Sequence, residues 1–255
     1  MKFLINSDIK KITVFRENKS NFFNLYSLKA FKIISNFWLE YIWNQKYTYR
    51  FTWLGFPIIQ LPDDIINIQE LIFKERPDYV VETGVAHGGS VIFYASLLKI
   101  LNKGKVIGIE KEFKKKNLDK LKKNFLKKYF ELIESDSTNK DLIRKLKRRL
   151  YSKKVIIILD SNHSYHHVLK ELNLYSEIIK KGSYIIVTDG IIDVMKFAPR
   201  RIKYQKNYGP LKAINEFLLE NNKFKKIQPI NLFNESKVFK NISHWPDGWL
   251  KKLKN

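Results

Sequence analysis

The stretch VVETGVAHGGSVIFYASLLK, residues 80–99, decides the fold of this chain. It opens with a short apolar run, turns through three glycines within six residues, and continues with apolar residues at helical spacing. A strand followed by a turn and a helix is the first half of a parallel crossover, and ligands bind at the carboxyl ends of such strands. We therefore expect an α/β domain with a ligand site at this turn.

Apolar, β-branched runs alternate with helical patterns through the rest of the chain. Strands that are apolar throughout, separated by helices, indicate a parallel sheet that is covered on both faces. The pattern predicts a doubly wound, mostly parallel α/β sheet in residues 63–255, after an N-terminal helical extension and connector in residues 1–62. The predicted strands cover 79–81, 105–109, 132–133, 155–159 and 184–187, with weaker candidates at 224–230 and 237–240.

The composition limits the function classes. The 255-residue chain has a formal net charge of +23, and residues 111–154 hold 17 Lys or Arg against 6 Asp or Glu. Such a field attracts nucleic acid, an anionic membrane face or a phosphorylated substrate, although lysines on helix exteriors give the same charge. The absence of cysteine excludes disulfides, zinc–thiolate sites, iron–sulfur clusters and thiol nucleophiles. We see no signal peptide and no membrane-spanning run, so we expect a cytoplasmic protein.

Residues 20–47 carry apolar and aromatic residues three and four positions apart, which predicts a helix. Aromatic residues also lie on its other face, at Phe31 and Trp38. We expect this helix to pack on the main domain or on a second subunit, and hence expect a homo-oligomer. An amphipathic helix on the inner face of the membrane is the alternative.

The glycine turn has a spacing that distinguishes between ligand classes. It lacks the G-x-G-x-x-G of dinucleotide sites, and no Lys follows its glycines as in a Walker loop. It fits the acidic-x-Gly-x-Gly-x-Gly loop of S-adenosylmethionine-dependent methyltransferases, with Ala at the middle glycine. Glycines let the backbone approach the ligand, and the carboxylate can meet the ligand's amine directly or through water. The predicted cofactor-binding residues here are Glu82, Gly84, Ala86, His87, Gly88 and Ser90.

The next two strand ends extend this predicted site. Glu110 ends the second strand, where an acidic side chain can accept both ribose hydroxyls. Asp136 and Ser137 follow the third strand and are placed to contact an adenine amine.

A second candidate site follows the fourth and fifth strands. Asp160 and Asp189 end these strands and should lie side by side at one edge of the sheet. Two close carboxylates repel unless a proton or a cation lies between them, and Mg²⁺ prefers oxygen ligands. We therefore predict a metal site on Asp160 and Asp189, with simple helix caps as the alternative.

Histidines near Asp160 are candidates for a catalytic base. His163 lies in the same turn as Asp160, and an imidazole titrates near neutrality. His167 is the second candidate, at the start of the following helix. The predicted catalytic residues are His163, Asp160 and His167.

Several blocks together resemble the cephalosporin hydroxylase family. They are WLGFPIIQLPDD (53–64), RPDYVVETGVAHGGSVIFYASLL (76–98), VIGIE (106–110), ILDSNHSYHHVLKELNLYSEIIKKGSYIIVTD (158–189), GPLKAINEFL (209–218) and PDGWLKKL (246–253). The resemblance implies a Rossmann-like, class I methyltransferase fold that uses S-adenosylmethionine and assembles through the segment before the core. It also implies a Mg²⁺ site on Asp160 and an acidic pair after the fifth strand. Here Thr188 stands where that pair usually has Glu, so one carboxylate ligand of the implied site is missing.

These features favour an S-adenosylmethionine-dependent O-methyltransferase that acts on a hydroxyl of a sugar, glycan or glycolipid precursor. The basic connection 197–210 is a candidate lid, and its Arg200, Arg201 and Lys203 suit a phosphorylated or nucleotide-linked sugar. An RNA-binding protein or RNA methyltransferase is the alternative, although no RNA-binding appendage is visible and we do not expect nucleic acid as a partner. A hydroxylase is opposed by the lack of a two-His, one-carboxylate iron site.

Overall fold

The computed structural model describes residues 2–16, 19–196, 198–200 and 209–254. Its N-terminal part is a small antiparallel sheet followed by a helix. The strands run in the order β1, β2, β3, so that β2 lies in the middle. These elements are β1 (Lys2–Asn6), β2 (Lys11–Arg16), β3 (Lys19–Asn24) and α1 (Leu28–Asn44).

The prediction of a helix from residue 20 was wrong at its start, and the N-terminal extension is not helical throughout. Ile12 and Val14 alternate with more exposed neighbours and lie buried in β2. Ile12 pairs with Phe23 across to β3, so the aromatic residues near 22–23 belong to a sheet. The helix begins after Ser27, whose hydroxyl caps it. The short alternation in KITVF, residues 11–15, was the available signal. A domain boundary between residues 62 and 63 stays a prediction.

The main sheet has seven strands and follows a short hairpin, β4 (Thr52–Trp53) and β5 (Phe56–Pro57). Its first five strands lie where the apolar runs predicted them. The seven strands are β6 (Tyr79–Thr83), β7 (Lys105–Glu110), β8 (Phe130–Glu134), β9 (Val155–Leu159), β10 (Tyr184–Val187), β11 (Phe224–Lys226) and β12 (Trp249–Lys252).

The last strand was misplaced by the sequence, since 237–240 is not a strand and β12 is. Half of β12 is lysine, which suggests an exposed chain end. Lys252 is nevertheless buried, because its ammonium donates to the carbonyl oxygens of Ser176 and Ile179, each at 2.8 Å. These bonds offset the cost of burying the charge.

Helices connect the strands and cover both faces of the sheet. A short 3₁₀ turn at Lys127–Tyr129 follows the helix Lys115–Lys122 and leads into β8. The helices after α1 are α2 (Pro62–Glu75), α3 (Gly89–Ile100), α4 (Lys115–Lys122), α5 (Lys140–Leu150), α6 (Tyr165–Ser176), α7 (Ile191–Val194) and α8 (Pro210–Glu220).

The strand order is β8-β7-β6-β9-β10-β12-β11. The strands from β8 to β10 are parallel, whereas β12 is antiparallel to both of its neighbours. The chain therefore moves outward in one direction from β6 to β8 and in the other from β9 onward. The fold is the doubly wound, mostly parallel α/β sheet that the alternation predicted.

Each face of the sheet has its own hydrophobic core, because alternate strand residues point to opposite faces. Val80 and Ile156 pack in the core beneath α2 and α3. Val81 and Ile157 pack in the other core, beneath α5 and α6. Both faces are thus covered, which explains why the central strands β9 and β10 carry no charged residue.

The carboxyl ends of β6 through β10 meet at one edge, and order reverses between β6 and β9. This is the position at which doubly wound sheets bind ligands. In the described part of the chain, the helices are too short or too polar to span a bilayer.

Candidate active site

The turn after β6 passes directly against the backbone that follows β9. Gly84 has φ of +86°, and a Cβ on it would lie 2.2 Å from the carbonyl oxygen of Asp160. Only glycine combines this conformation with such a close approach. The turn and the end of β9 therefore form one continuous floor.

A cavity of about 500 Å³ lies above this floor, at the ends of β6 to β9. Its volume is in the usual range for a small-molecule site. Although the chain has a net charge of +23, four carboxylates and two lysines line the cavity. The lining residues are Gly84, Ala86, His87, Ile109, Glu110, Lys111, Glu112, Lys114, Asn117, Ser135, Asp136, Ser137, Asp160, Ser161, Asn162 and His167.

Glu110 is one of the lining residues, and backbone groups fix its side chain. Its Oε2 accepts a hydrogen bond from the amide of Ala86 at 2.8 Å, and its Oε1 accepts one from Lys111 N at 3.1 Å. Each carboxylate oxygen can accept a further bond. Glu110 is therefore oriented to accept two hydroxyl groups of a ligand, as a ribose contact requires.

Asp136 and Ser137 form the wall beyond Glu110. Asp136 Oδ1 accepts hydrogen bonds from the amide and hydroxyl of Thr138, at 2.8 and 2.7 Å. These bonds hold the pKa of Asp136 below its usual value, so its carboxylate stays charged. The carbonyl oxygen of Ser137 accepts a hydrogen bond from Tyr175 at 3.0 Å, which fixes the wall from behind.

Glu82 does not line the cavity, and the predicted contact between its carboxylate and a ligand amine is not supported. Its side chain is fully buried and accepts hydrogen bonds from Ser90 at 2.7 Å and from Tyr94 at 3.3 Å. Burial, with the nearby charge of Asp160, raises the pKa of Glu82 well above its usual value. Glu82 and Ser90 thus join the end of β6 to α3. Gly88 also lies outside the lining, packed closely on the side chain of Leu121.

Asp160 and Asp189 lie near each other at the ends of adjacent strands. Asp160 Oδ1 accepts a hydrogen bond from the hydroxyl of Thr188 at 2.5 Å. Burial and the charge of Asp189 together raise the pKa of Asp160 to about 7. His163 contacts Asp189, with Nε2 3.3 Å from Oδ2, so the imidazole's closest carboxylate partner is Asp189 and not Asp160.

These residues form an incomplete donor set for Mg²⁺. Across the described ranges, no group of three or more His, Asp or Glu side chains is arranged to hold a metal ion. The position beside Asp189 is occupied by Thr188, whose hydroxyl proton is engaged by Asp160. The metal site on Asp160 and Asp189 stays a prediction.

His167 lies apart from this pair, in the wall that carries Ser137. Its Nε2 lies 3.2 Å from Ser137 Oγ and 3.1 Å from Ser161 Oγ. The sequence placed both histidines in one catalytic set, whereas the structure gives them different partners.

Asn117 is a cavity residue that the sequence did not indicate. Its amide donates to the carbonyl oxygen of Ala86 at 3.2 Å and lies 3.4 Å from His87 Nδ1. In the sequence KKKNLDK, residues 114–120, Asn117 resembles any other polar residue on a solvent-exposed helix. No signal in the sequence distinguished it.

The predicted lid falls largely outside the described residues, which omit 197 and 201–208. Arg201 and Lys203 are among the omitted ones. Arg200 is described, and it packs on the N-terminal helix: its guanidinium donates to the carbonyl of Trp43 at 2.8 Å and lies 4.5 Å from that ring. Arg200 therefore fixes this connection to α1, which does not support its predicted role as a substrate-binding cation.

The strand order, with its antiparallel β12, and the site at the ends of β6 to β9 define a Rossmann-like class I methyltransferase fold. Two solved structures show the same fold. CmcI with Mg and SAM has a TM-score of 0.52 at 19% identity, covering 80% of this chain and 77% of that one. A putative caffeoyl-CoA O-methyltransferase from Staphylococcus aureus has a TM-score of 0.50 at 16% identity, covering 89% and 99%.

The family model for rhamnosyl O-methyltransferase/CmcI matches residues 45–253, and the chain belongs to this family. A similar curated relative is the rhamnosyl O-methyltransferase of Mycobacterium leprae (strain TN), 29% identical over 182 residues. That match covers 70% of this chain and 72% of the relative. The predicted family resemblance is confirmed.

Proposed function

We propose that this protein is an S-adenosylmethionine-dependent O-methyltransferase that methylates a hydroxyl of a sugar in a glycan or glycolipid precursor. Its family membership supports the reaction class, and relatives named rhamnosyl O-methyltransferase support a sugar acceptor. The observation that carries the proposal is the acidic cavity in which backbone amides fix Glu110.

The cavity suits this cofactor by charge. S-adenosylmethionine carries a sulfonium and an ammonium against one carboxylate, so its net charge is positive. Even without Asp160, whose pKa is raised, the carboxylates of Glu110, Glu112 and Asp136 outnumber the two lysines of the lining, which favours such a ligand over a pyrophosphate. In this proposal Glu110 binds the ribose hydroxyls, Asp136 and Ser137 lie at the nucleobase, and the backbone at Gly84 borders the methionine portion.

The chain's own residues supply positioning and proton transfer. When bound, the cofactor provides an electrophilic methyl group. Asp189 orients the ring of His163 through their 3.3 Å contact, and His163 accepts the proton of the acceptor hydroxyl. Asp160, held by Thr188, lines the cavity and lies near this pair.

The proposal is tested with methyl-labelled S-adenosylmethionine and a panel of rhamnosides and other glycosides. We expect label in a sugar methyl ether. The variant His163→Gln should lower kcat by about 10² to 10⁴, because a general base contributes a factor of that size. His166→Gln is the matched control, since His166 is an exposed neighbour. Transfer to RNA with none to any sugar would contradict the proposal.

The two alternative functions are less well supported. The family membership favours O-methylation over an RNA-directed activity or a hydroxylase.

We further propose that the protein self-associates through residues 20–47. Support comes from α1, where Phe37, Trp38 and Tyr41 are each about half exposed and their rings stack, with centroids 6.3 and 6.4 Å apart. Sedimentation of wild type and Trp38→Glu tests this, and we expect the variant to shift toward monomer. Vesicle pelleting that Trp38→Glu abolishes, without any change in assembly, would instead assign this face to a membrane surface.

A further inference from the structure

A polar network lies in the wall of the cavity that carries Ser137 and extends to a buried carboxyl group. At its centre is His167, whose Nε2 lies 3.1 Å from Ser161 Oγ, 3.2 Å from Ser137 Oγ and 3.5 Å from Glu171 Oε1. The Glu171 side chain is fully buried, and within the described parts of the chain its Oε2 has no hydrogen-bond partner. The network joins the loops after β8 and β9 to α6.

Counting the protons of this network fixes the state of the His167 ring. The Ser161 hydroxyl donates to Glu171 Oε1 at 2.9 Å, and a hydroxyl has only one proton to give. Ser161 Oγ must therefore accept from His167, which places a proton on Nε2. The hydroxyl proton of Ser137 is then left for another acceptor, because Ser137 Oγ also faces a protonated Nε2.

The other ring nitrogen, Nδ1, has no protein partner among the described residues. His167 lines the cavity, and 23% of its side chain is exposed. Its charged neighbours are Glu171, Asp136 and Lys170, and the first two raise its pKa. A buried carboxylate beside the ring favours the imidazolium form, in which Nδ1 is a donor.

We propose that His167 is a nucleobase-binding residue, which contacts the purine of the cofactor through Nδ1, and that Glu171 is the positioning residue that orients its ring. This inference rests on the proposed function, and it replaces the catalytic role that the sequence predicted for His167. Glu171 and Ser161 hold the Nε2 edge of the His167 ring, and Ser137 lies beside the same edge. The ring nitrogens of the purine then accept the hydrogen bond that Nδ1 donates.

Two glutamine substitutions test this role, one at His167 and one at the control position His166. Glutamine places its amide near the position of Nε2, so His167→Gln keeps the link to Ser161 and Glu171 but loses Nδ1. We expect the affinity for S-adenosylhomocysteine to fall about tenfold or more, as for a lost charged hydrogen bond. The KM for S-adenosylmethionine should rise with kcat at saturation retained. His166→Gln, one residue away and exposed, should change neither.

The outcomes distinguish this inference from the proposed function. If wild type does not bind S-adenosylhomocysteine, the proposed function fails. If wild type binds and His167→Gln binds equally well, or loses kcat at unchanged affinity, the inference is wrong. If His167→Gln does not fold, histidine ¹⁵N spectra of wild type give the answer. S-adenosylhomocysteine should then shift Nδ1 of His167 while Nε2 stays protonated, and an unshifted Nδ1 overturns the assignment.

Discussion

The substitution Glu110→Gln tests the best-defined contact in the cavity. Both carboxylate oxygens accept backbone hydrogen bonds, from Ala86 N at 2.8 Å and Lys111 N at 3.1 Å, so the orientation of the side chain is fixed before any ligand binds. Glutamine has the same shape but only one acceptor oxygen. In either orientation its amide nitrogen faces one of these backbone N–H groups and can no longer accept from a ribose hydroxyl.

The expected loss follows from the number of bonds. A hydrogen bond to a charged group contributes about 1.5–3 kcal/mol. The variant loses one such bond and weakens the other to a neutral one, which gives about 2–4 kcal/mol. At about 1.4 kcal/mol per factor of ten, the Kd for S-adenosylhomocysteine should rise roughly 30- to 1,000-fold.

Calorimetry of wild type and the variant measures this change, with thermal melting to confirm the fold. Glu134→Gln is the matched control. Glu134 ends the neighbouring strand β8, accepts one backbone hydrogen bond and lies outside the cavity lining. We expect its affinity to equal that of wild type. An affinity for Glu110→Gln within a factor of three of wild type would refute the ribose assignment.

Two more predictions concern stability. Gly84→Ala should lower the Tm strongly and abolish cofactor binding, because the new Cβ would lie 2.2 Å from the carbonyl oxygen of Asp160. Gly182 has the same φ of +86°, but a Cβ there would have nothing within 4 Å, so Gly182→Ala should lower the free energy of unfolding by only about 1 kcal/mol. Equal losses in the two variants would contradict this reasoning. Burial raises the pKa of Asp64 from 3.8 to about 8. The unfolded state therefore loses this proton at a lower pH than the folded state does, and the free energy of unfolding should fall as pH rises between these two values. Urea unfolding should show that slope in wild type and a flatter one in Asp64→Asn, and an unchanged slope in the variant would contradict the assignment.

Much of the sheet could be predicted because its strands are buried on both faces. The central strands β9 and β10 carry no charged residue. In the helices between the strands, apolar residues recur three and four positions apart. The position of Glu110 could be predicted because it ends β7, and β7 lies parallel to β6 and ends at the same edge of the sheet. Parallel geometry likewise brought Asp160 near Asp189.

The remainder depends on packing that local patterns do not encode. Glu82 satisfies the loop spacing, yet it lies behind the turn because α3 places Ser90 and Tyr94 against it. Lys252 reads as a surface residue but ends in a pocket of carbonyl oxygens. His163 and His167 have different partners because of the direction of α6. The spacing of residues along the sequence does not give that direction.

We expect the cavity to accept a positively charged nucleoside and not a phosphate-bearing one. Titration of the wild-type protein with S-adenosylmethionine and, separately, with NAD⁺ measures this preference. We predict one-to-one binding of S-adenosylmethionine and no heat with NAD⁺. Binding of NAD⁺ that S-adenosylmethionine does not displace, or no binding of either nucleoside to folded protein, would contradict the account.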